Sequence, residues 1–169
     1  GAIKMNAGCF GSETKQILID IKTMNNKGEV NTINKKNLKL DYRQSNLPEG
    51  NIIISTNFKV NYGDKNEIAI KMNKIKLIRE KTQPLKEKTS GSTFKNPKNN
   101  FAAKLIEMSN CKGLSEGGIF VSNKHANFLI NKQQGSANQI EELGNKIIEK
   151  VYNKFNIKLE WEIKIIGQK

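Results

Sequence analysis

Residues 136–155, SANQIEELGNKIIEKVYNKF, carry the most regular hydrophobic pattern of the chain. Apolar residues recur there every three or four positions, as on the buried face of a helix: Ile140, Leu143, Ile147, Val151 and Phe155. Ser136 and Gln139 have the spacing of a capping box, in which each side chain bonds a backbone N–H of the other residue. We therefore predict an amphipathic helix that starts after Ser136 and ends near Phe155.

The residues that follow this helix, LEWEIKI at positions 159–165, alternate between apolar and charged types. Alternation with a period of two predicts a strand with one buried face. The buried face would consist of Leu159, Trp161, Ile163 and Ile165. Glu160 and Glu162 would then lie on the opposite face.

Shorter elements precede the long helix. Residues 102–108 have the composition of a short helix, and residues 119–121 and 128–130 that of short strands rich in branched and aromatic side chains. Gly117 and Gly118 interrupt the chain just before the first of these strands.

The first half of the chain is dominated by strand patterns. Residues 17–23 predict a strand, residues 25–28 (NNKG) a turn, and residues 29–33 the returning strand of a hairpin. Asn34 can cap a short turn that ends near residue 38.

A second strand and a helix complete the first half. Residues 51–60, NIIISTNFKV, predict a strand. Asp64 and Glu67 resemble a capping box at the start of a helix. Apolar residues follow at helical spacing: Ile68, Met72, Ile75 and Ile78.

Residues 82–100 contain Pro84, Gly91 and Pro97 and cannot form regular structure. This segment separates the two halves, so we expect an α+β chain with two lobes. A cleft between lobes is a common place for a ligand. The sequence SGSTFKNP of residues 90–97 lies in this segment, and loops carry function more often than packing.

The charge of the chain does not by itself indicate nucleic-acid binding. The formal net charge is +13, but only Arg43 and Arg79 among the 29 basic residues are arginine. Nucleic-acid surfaces favour arginine because its planar side chain makes paired contacts. The joint abundance of Lys, Asn and Ile is typical of AT-rich coding sequence. A solvated basic surface is therefore the favoured interpretation, and a basic nucleic-acid-binding module the weaker alternative.

Membrane, secretion and zinc signals are absent from the sequence. No run of 18 apolar residues and no secretory signal pattern is present. The two cysteines, Cys9 and Cys111, are far apart, and His125 is the single histidine. We expect no metal site and a reducing, cytoplasmic location.

Five motifs in order resemble one enzyme family. They are MNAGCFGSE (5–13), DYRQS (41–45), GSTFKNP (91–97), GGIFVSNKHANFLIN (117–131) and LEWEIKIIG (159–167). Together they resemble UDP-N-acetylmuramate dehydrogenase, also called UDP-N-acetylenolpyruvoylglucosamine reductase. The resemblance extends over essentially the whole chain.

The resemblance implies a particular architecture. Family members begin with a region that supplies much of an FAD site, and this chain is expected to start just after it, as the C-terminal half to two-thirds of the enzyme. Residues 1–82 would be the remainder of an FAD-binding domain of the type 2, PCMH-like fold. Residues 83–169 would form a small α/β substrate-binding domain.

The resemblance also implies a reaction. NADPH reduces FAD, and the reduced flavin then reduces UDP-N-acetylglucosamine enolpyruvate to UDP-N-acetylmuramate, a precursor of peptidoglycan. Negative charge develops beside the substrate carboxylate during hydride addition, so a cation must meet it and an acid must protonate carbon. The resemblance assigns Ser92 as proton donor, Arg43 as charge stabiliser and Glu162 as the carboxylate that supports protonation or orients the enolate.

Each catalytic assignment has a structural alternative. The Ser92 hydroxyl could bond its own turn, Arg43 could pair with Asp41 on the surface, and Glu162 could be an ordinary solvent-facing charge. Arg43 is one of only two arginines, and a bidentate carboxylate clamp resists replacement by lysine. His125 is interpreted as structural.

Further binding residues follow from the same resemblance. Lys95 and Asn96 are expected to hold phosphate or sugar groups of the substrate, with turn formation as the alternative. FAD would contact a segment in which small residues allow a close backbone approach: Asn6, Gly8, Phe10 and Gly11. A simple glycine turn is the alternative there. Phe10 stands where the family usually has tyrosine, which removes one hydroxyl from the cofactor site.

The sequence thus predicts an FAD-dependent NADPH oxidoreductase or a large part of one. We expect a monomer with NADPH and the UDP-sugar as partners, and neither nucleic acid nor membrane. The alternative is an inactive or split-gene fragment that requires its missing N-terminal half.

Overall fold

The computed structural model describes residues 1–167 of the chain. The chain divides into two compact units, Gly1–Asp64 and Lys65–Lys169. Both units mix helices with antiparallel strands, in agreement with the predicted α+β class. None of the helices in the described part is both long and apolar enough to cross a membrane.

The first unit is built on a three-stranded antiparallel sheet. Its elements are β1 (Gly8–Cys9), β2 (Ser12–Glu13), α1 (Thr14–Ile17), β3 (Leu18–Met24), β4 (Val30–Asn34), a 3-10 turn (Lys35–Asn37), β5 (Leu40–Asp41), β6 (Gln44–Ser45) and β7 (Ile52–Phe58). The sheet has the order β4-β3-β7, and β1-β2 and β5-β6 are separate two-stranded hairpins. The three longer strands and the capped turn were predicted from the sequence, whereas the two short hairpins were not.

The β3–β4 hairpin forms because its turn residues satisfy the backbone locally. The Asn25 side-chain oxygen accepts hydrogen bonds from the backbone N–H groups of Lys27 (2.9 Å) and Glu29 (3.0 Å). Gly28 has a φ of +82°, a conformation that glycine adopts without steric cost. Leu18, Ile21 and Leu47 form the small buried core of this unit.

The second unit surrounds a larger core with helices and a small sheet. Its elements are α2 (Lys65–Thr82), α3 (Ala102–Met108), β8 (Ser115–Glu116), β9 (Ile119–Val121), β10 (Leu129–Asn131) and α4 (Ala137–Phe155). The strands pair antiparallel in the order β10-β9-β8. Leu143, Ile147 and Val151 of α4 are fully buried in the core that α3 and the sheet share.

Helix α4 has the boundaries that its sequence predicts. Ser136 and Gln139 form both bonds of the capping box, and Asn156 ends the helix in the left-handed conformation (φ 54°). Helix α3 also matches its predicted range, and residues 83–100 contain neither a helix nor a named strand.

The predicted strand over residues 159–165 is wrong. Only Trp161 forms a backbone bridge there, and its partner is Phe94. Leu159 is buried, but Ile165, which the pattern assigned to the same buried face, is 52% exposed. Alternation marks residues that can form a strand, but a strand also needs continuous backbone pairing with a neighbour, and here the neighbour is the irregular segment that contains Phe94.

Candidate functional site

The loop of residues 92–96 is held between two other segments of the second unit. On one side, Thr93 donates its backbone N–H to the carbonyl oxygen of Asn127 over 2.8 Å, and Ser92 forms an antiparallel bridge with Phe128. On the other side, the Lys95 N–H donates to the carbonyl oxygen of Glu160 over 2.9 Å. The loop is therefore ordered by backbone pairing although it has no regular structure.

This pairing joins the segments that carry two of the predicted catalytic residues. The Glu162 backbone N–H donates to the carbonyl oxygen of Thr93 over 2.8 Å, so Glu162 lies across from the residue next to Ser92. The Ser92 side chain is exposed and Glu162 is half-buried. Two segments whose candidate residues are 70 positions apart in the chain are thus paired through their backbones.

Two aromatic side chains, Phe94 and Trp161, pack together where the loop of residues 92–96 meets the segment of Glu162. The ring centroids of Phe94 and Trp161 are 5.0 Å apart, with the planes tilted by 39°. Phe94 is 1% exposed and belongs to the core of the unit. The loop that presents Ser92 is consequently anchored in the core by the residue two positions later.

Lys95 and Asn96 both have partners within the protein. The Lys95 ammonium lies 3.2 Å from a carboxylate oxygen of Glu160. The Asn96 side-chain oxygen accepts a hydrogen bond from the Ala102 N–H over 3.0 Å, at the start of α3. The Asn96 side chain thus helps to hold the start of α3, and Lys95 lies at the surface of the same loop.

The sequence patterns did not single out Asn127. This residue is 4% exposed, and its side chain bonds the backbone of Phe94 at both of its polar atoms, over 2.8 and 2.9 Å. The signal available in the sequence was an amide between Ala126 and Phe128, within a stretch that is otherwise apolar. A buried polar side chain is normally hydrogen-bonded, so such a position indicates a specific partner.

Arg43 lies in the first unit, in the hairpin of β5 and β6. It has a φ of 57°, which is uncommon for a residue other than glycine. Its guanidinium carbon lies 4.8 Å from the centre of the Tyr42 ring, a cation–π distance. The turn therefore presents a half-buried guanidinium whose direction is set by a strained backbone and an aromatic neighbour.

The residues predicted to contact FAD form the β1–β2 hairpin and the turn before it. Asn6 is 2% exposed, and its amide bonds Glu13 and the backbone of Lys15, each over 2.9 Å. Its polar atoms thus shape the hairpin itself. A side chain at Gly8 would collide with the opposite strand, 2.6 Å from the Ser12 carbonyl oxygen.

The tip of this hairpin, at Phe10 and Gly11, is exposed. Phe10 and Gly11 both have positive φ values, 51° and 79°, and the Phe10 ring is 50% exposed. A Cβ added to Gly11 would meet no atom within 4 Å. The backbone edge at Gly11 and the face of the Phe10 ring are thus accessible to a planar group.

His125 is held by its own loop. Its Nδ1 accepts the Asn127 backbone N–H over 3.3 Å, and its ring meets Phe128 edge-on at 4.6 Å. Burial lowers the pKa of His125 below its ordinary value, and the nearby Lys112 lowers that pKa further. The imidazole is therefore neutral in the folded chain near neutral pH, which agrees with its structural interpretation.

A cavity of about 740 Å³ lies elsewhere in the second unit. Its lining includes Pro84, Phe120, Lys124, Ile130 and Lys132, but neither Ser92 nor Glu162. This cavity therefore includes neither of the two catalytic candidates. No group of three or more His, Cys, Asp or Glu side chains suited to a metal ion is present within residues 1–167.

The chain is similar to known proteins over nearly its whole length. Residues 83–166 match the family described as UDP-N-acetylenolpyruvoylglucosamine reductase, C-terminal domain. The UDP-N-acetylenolpyruvoylglucosamine reductase of Rickettsia conorii is 41% identical over 168 residues, which cover 99% of the chain. The protein of the same name from Novosphingobium aromaticivorans is 40% identical over 168 residues.

A solved structure gives the same result. The crystal structure of the UDP-N-acetylenolpyruvylglucosamine reductase from Thermus caldophilus superposes with a TM-score of 0.83 at 33% identity, covering 96% of this chain. The chain spans 57% of the length of the curated relatives and 58% of that crystallised chain. The family resemblance predicted from the motifs is confirmed, and the chain corresponds to the C-terminal portion of these enzymes.

Proposed function

Because the chain belongs to the UDP-N-acetylenolpyruvoylglucosamine reductase family, we propose that it carries the substrate-protonating part of an FAD-dependent NADPH oxidoreductase. The substrate is UDP-N-acetylglucosamine enolpyruvate and the product UDP-N-acetylmuramate. The observation that supports this most directly is the backbone bond between Glu162 and Thr93, which pairs the segment of Glu162 with the loop that contains the exposed Ser92.

Ser92 and Glu162 act on the substrate carbon that must gain a proton. FAD, when bound, would supply the hydride that the β-carbon of the enolpyruvyl group gains, and NADPH would be its source. The Ser92 hydroxyl then gives its proton to the α-carbon. Serine is a weak acid, so this transfer depends on orientation and on the basicity of the enolate. Glu162 orients the enolate or supports the return of a proton to Ser92.

Arg43 stabilises the charge that appears on the substrate carboxylate during hydride addition. A guanidinium can bond both oxygens of a carboxylate at once, and lysine cannot. The turn that holds Arg43 in a strained backbone conformation fixes the direction of this side chain before the substrate arrives.

Lys95 binds the diphosphate or sugar of the substrate together with Asn96. The ion pair between Lys95 and Glu160 is exposed, with 34% and 74% of the two side chains accessible. Such pairs contribute about 0–1 kcal/mol, so a substrate phosphate can replace Glu160 at little cost.

The β1–β2 hairpin contributes one edge of the FAD site. Phe10 offers a ring for stacking and Gly11 an open backbone, while Asn6 and Gly8 give the hairpin its shape. Residues 1–82 would then complete an FAD-binding domain and residues 83–169 form the substrate domain.

The cellular setting follows from the reaction. The product is a precursor of peptidoglycan, so the enzyme acts in cell-wall synthesis. Both cysteines are free, Cys9 at the surface and Cys111 in the core, which supports a cytoplasmic, reducing location. We propose a monomer that uses NADPH and the UDP-sugar as its partners.

Activity is tested with the chain extended by the N-terminal part of the Rickettsia conorii relative that it does not match. We expect this protein to bind FAD, and after a single reduction of the flavin to continue oxidising NADPH only when UDP-N-acetylglucosamine enolpyruvate is present. The extension alone is the control. A flavin-loaded protein that never oxidises NADPH in response to this substrate would refute the proposal.

The second candidate is a fragment that works only with a separate N-terminal polypeptide. The apolar side chains of α2 favour this possibility, because no residue of the helix is buried. Ile70 is 67% exposed, Met72 66% and Leu77 65%. Large apolar side chains that a helix leaves exposed can serve as contacts for a partner. Mixing this chain with the separate N-terminal part should restore activity if this candidate is correct.

A further inference from the structure

Asn127 holds the backbone of Phe94 at both of its polar groups. Its Nδ2 donates to the Phe94 carbonyl oxygen over 2.8 Å, and its Oδ1 accepts the Phe94 N–H over 2.9 Å. At Phe94 the Asn127 side chain thus makes the two backbone hydrogen bonds that a neighbouring strand would make in a sheet. Both bonds keep good geometry only when the planar amide and the Phe94 backbone are correctly aligned, so together they fix the position of that backbone.

The same residue and its successor contact the two positions before Phe94. The Asn127 carbonyl oxygen accepts the Thr93 N–H over 2.8 Å, and Phe128 forms the bridge with Ser92. Three consecutive residues of the loop are thus bound to two consecutive residues that directly precede β10. The position of Ser92 is fixed from this side independently of Glu162.

We propose that Asn127 is a positioning residue for the reaction. It acts through the backbone of residues 92–94, and it keeps the Ser92 hydroxyl where the α-carbon of the substrate is protonated. This inference rests on the proposed function, because it gives Asn127 a task only if Ser92 is the proton donor. A misplacement of about 1 Å in such a transfer can cost on the order of 100-fold in rate.

A matched control exists in the same unit. The Asn131 side chain makes the same pair of bonds to Gly135, donating to its carbonyl oxygen and accepting its N–H, both over 2.8 Å. Asn131 lies at the end of β10 and has no assigned role in the reaction. The loss of the same pair of side-chain bonds can therefore be compared at Asn127 and at Asn131. Only the Asn127 bonds hold the loop that contains Ser92.

The test uses the chain extended with the N-terminal part of the Rickettsia conorii relative, and it follows the two half-reactions separately. For Asn127→Ala we expect reoxidation of the reduced flavin by UDP-N-acetylglucosamine enolpyruvate to slow on the order of 100-fold. Reduction of the flavin by NADPH should be unchanged, and kcat should fall while KM stays near normal. Asn131→Ala should show no such selectivity.

A second variant and a second measurement cover the case in which Asn127→Ala does not fold. Asn127→Asp keeps the size of the side chain and an oxygen that can accept the Phe94 N–H. It lacks the N–H group that donates to the Phe94 carbonyl oxygen. We expect it to slow reoxidation selectively as well. Hydrogen exchange at the Phe94 amide, measured in the same samples, should accelerate in Asn127→Ala because its acceptor is gone.

The outcomes separate the two proposals. If the unaltered protein does not oxidise NADPH in response to the enolpyruvyl substrate, the proposed function is wrong, and the inference falls with it. If the unaltered protein turns over and both Asn127 variants keep normal reoxidation, the inference alone is wrong. Equal slowing of both half-reactions, or the same selective loss in Asn131→Ala, also overturns the inference.

Discussion

Phe94 and Trp161 meet both through their backbones, which form an antiparallel bridge, and through their rings, whose centroids are 5.0 Å apart. The bridge joins the loop of Ser92 to the segment of Glu162. The far side of the Trp161 ring lies directly over Gly144 of α4, where a Cβ would overlap the ring. The geometry of the candidate site therefore depends on a glycine in the middle of a helix.

Gly144→Ala should destabilise the chain. Alanine in a helix interior gains up to about 1 kcal/mol over glycine, but an added methyl in a packed core typically costs about 1–3 kcal/mol. We expect a net loss of about 1 kcal/mol or more of unfolding free energy, with a shifted Trp161 emission because Trp161 is the single tryptophan. Urea unfolding followed by fluorescence measures both.

A neighbouring position provides the control for this variant. Asn145 is exposed on α4, so Asn145→Ala should leave the emission unchanged and keep or slightly raise stability. A Gly144→Ala protein that is as stable as Asn145→Ala, with unaltered emission, would show that the ring does not pack on this helix.

Ser92→Ala should separate the two half-reactions. In the chain extended with the N-terminal part of the Rickettsia conorii relative, flavin reduction by NADPH should remain near normal. Reoxidation by the enolpyruvyl substrate should slow about 10²–10⁴-fold, the usual effect of removing a general acid. Stopped-flow absorbance of the flavin measures each step. Equal damage to both steps would argue against Ser92 as the proton donor.

The isolated chain should purify with little or no bound flavin. The residues proposed to face FAD belong to one hairpin and the turn before it, and the chain spans 57% of the length of its curated relatives. An absorption spectrum of the purified chain, compared with that of the extended protein, tests this. A stoichiometric flavin spectrum in the isolated chain would contradict the prediction.

The two thiols should differ sharply in reactivity. Cys9 is exposed, whereas Cys111 is fully buried and its pKa is raised by that burial. The thiolate is the reactive form, so a thiol reagent should label one cysteine rapidly in the native chain and the second only after denaturation. Cys9→Ser should abolish the rapid phase. Rapid labelling that persists in Cys9→Ser would mean that Cys111 is accessible.

Acidification should weaken the fold through His125. Burial places its folded-state pKa below the ordinary value of about 6.5. The unfolded chain therefore binds a proton first as the pH falls, and the unfolding free energy contributed by neutral His125 is present above about pH 6.5 and is lost below it. Urea unfolding at about pH 7.5 and about pH 5.5 measures the loss.

A variant isolates this contribution, because His125 is the only histidine. His125→Gln removes the titrating group, so the difference in stability between the two pH values should shrink. An equal difference in the variant would assign the pH dependence to other groups.

Much of the regular structure could be predicted from local sequence. The apolar spacing and the capping box of Ser136 predicted α4 to its ends, and the pattern of residues 102–108 predicted α3. Helices and caps depend on residues within four positions of one another, so one sequence contains the necessary information. The order of five motifs likewise predicted the family.

The contacts of the candidate site could not be predicted in the same way. The bonds between Asn127 and Phe94 join residues 33 positions apart, and the ion pair of Lys95 and Glu160 joins residues 65 positions apart. No periodicity connects such residues, because the pairing depends on where the chain returns after intervening elements have packed. Asn127 consequently looked like any other polar residue near a strand.

Residues 159–165 show where prediction from local sequence ends and tertiary structure decides. Their alternation reflects a real difference in burial at Leu159, but it led to a strand that the chain does not form. A periodic pattern indicates which side chains can lie on the same face of an element, because the face of each side chain depends on backbone geometry alone. Whether a segment becomes a strand, and which catalytic candidates then become neighbours, depends on hydrogen-bond partners that only the folded chain brings within reach.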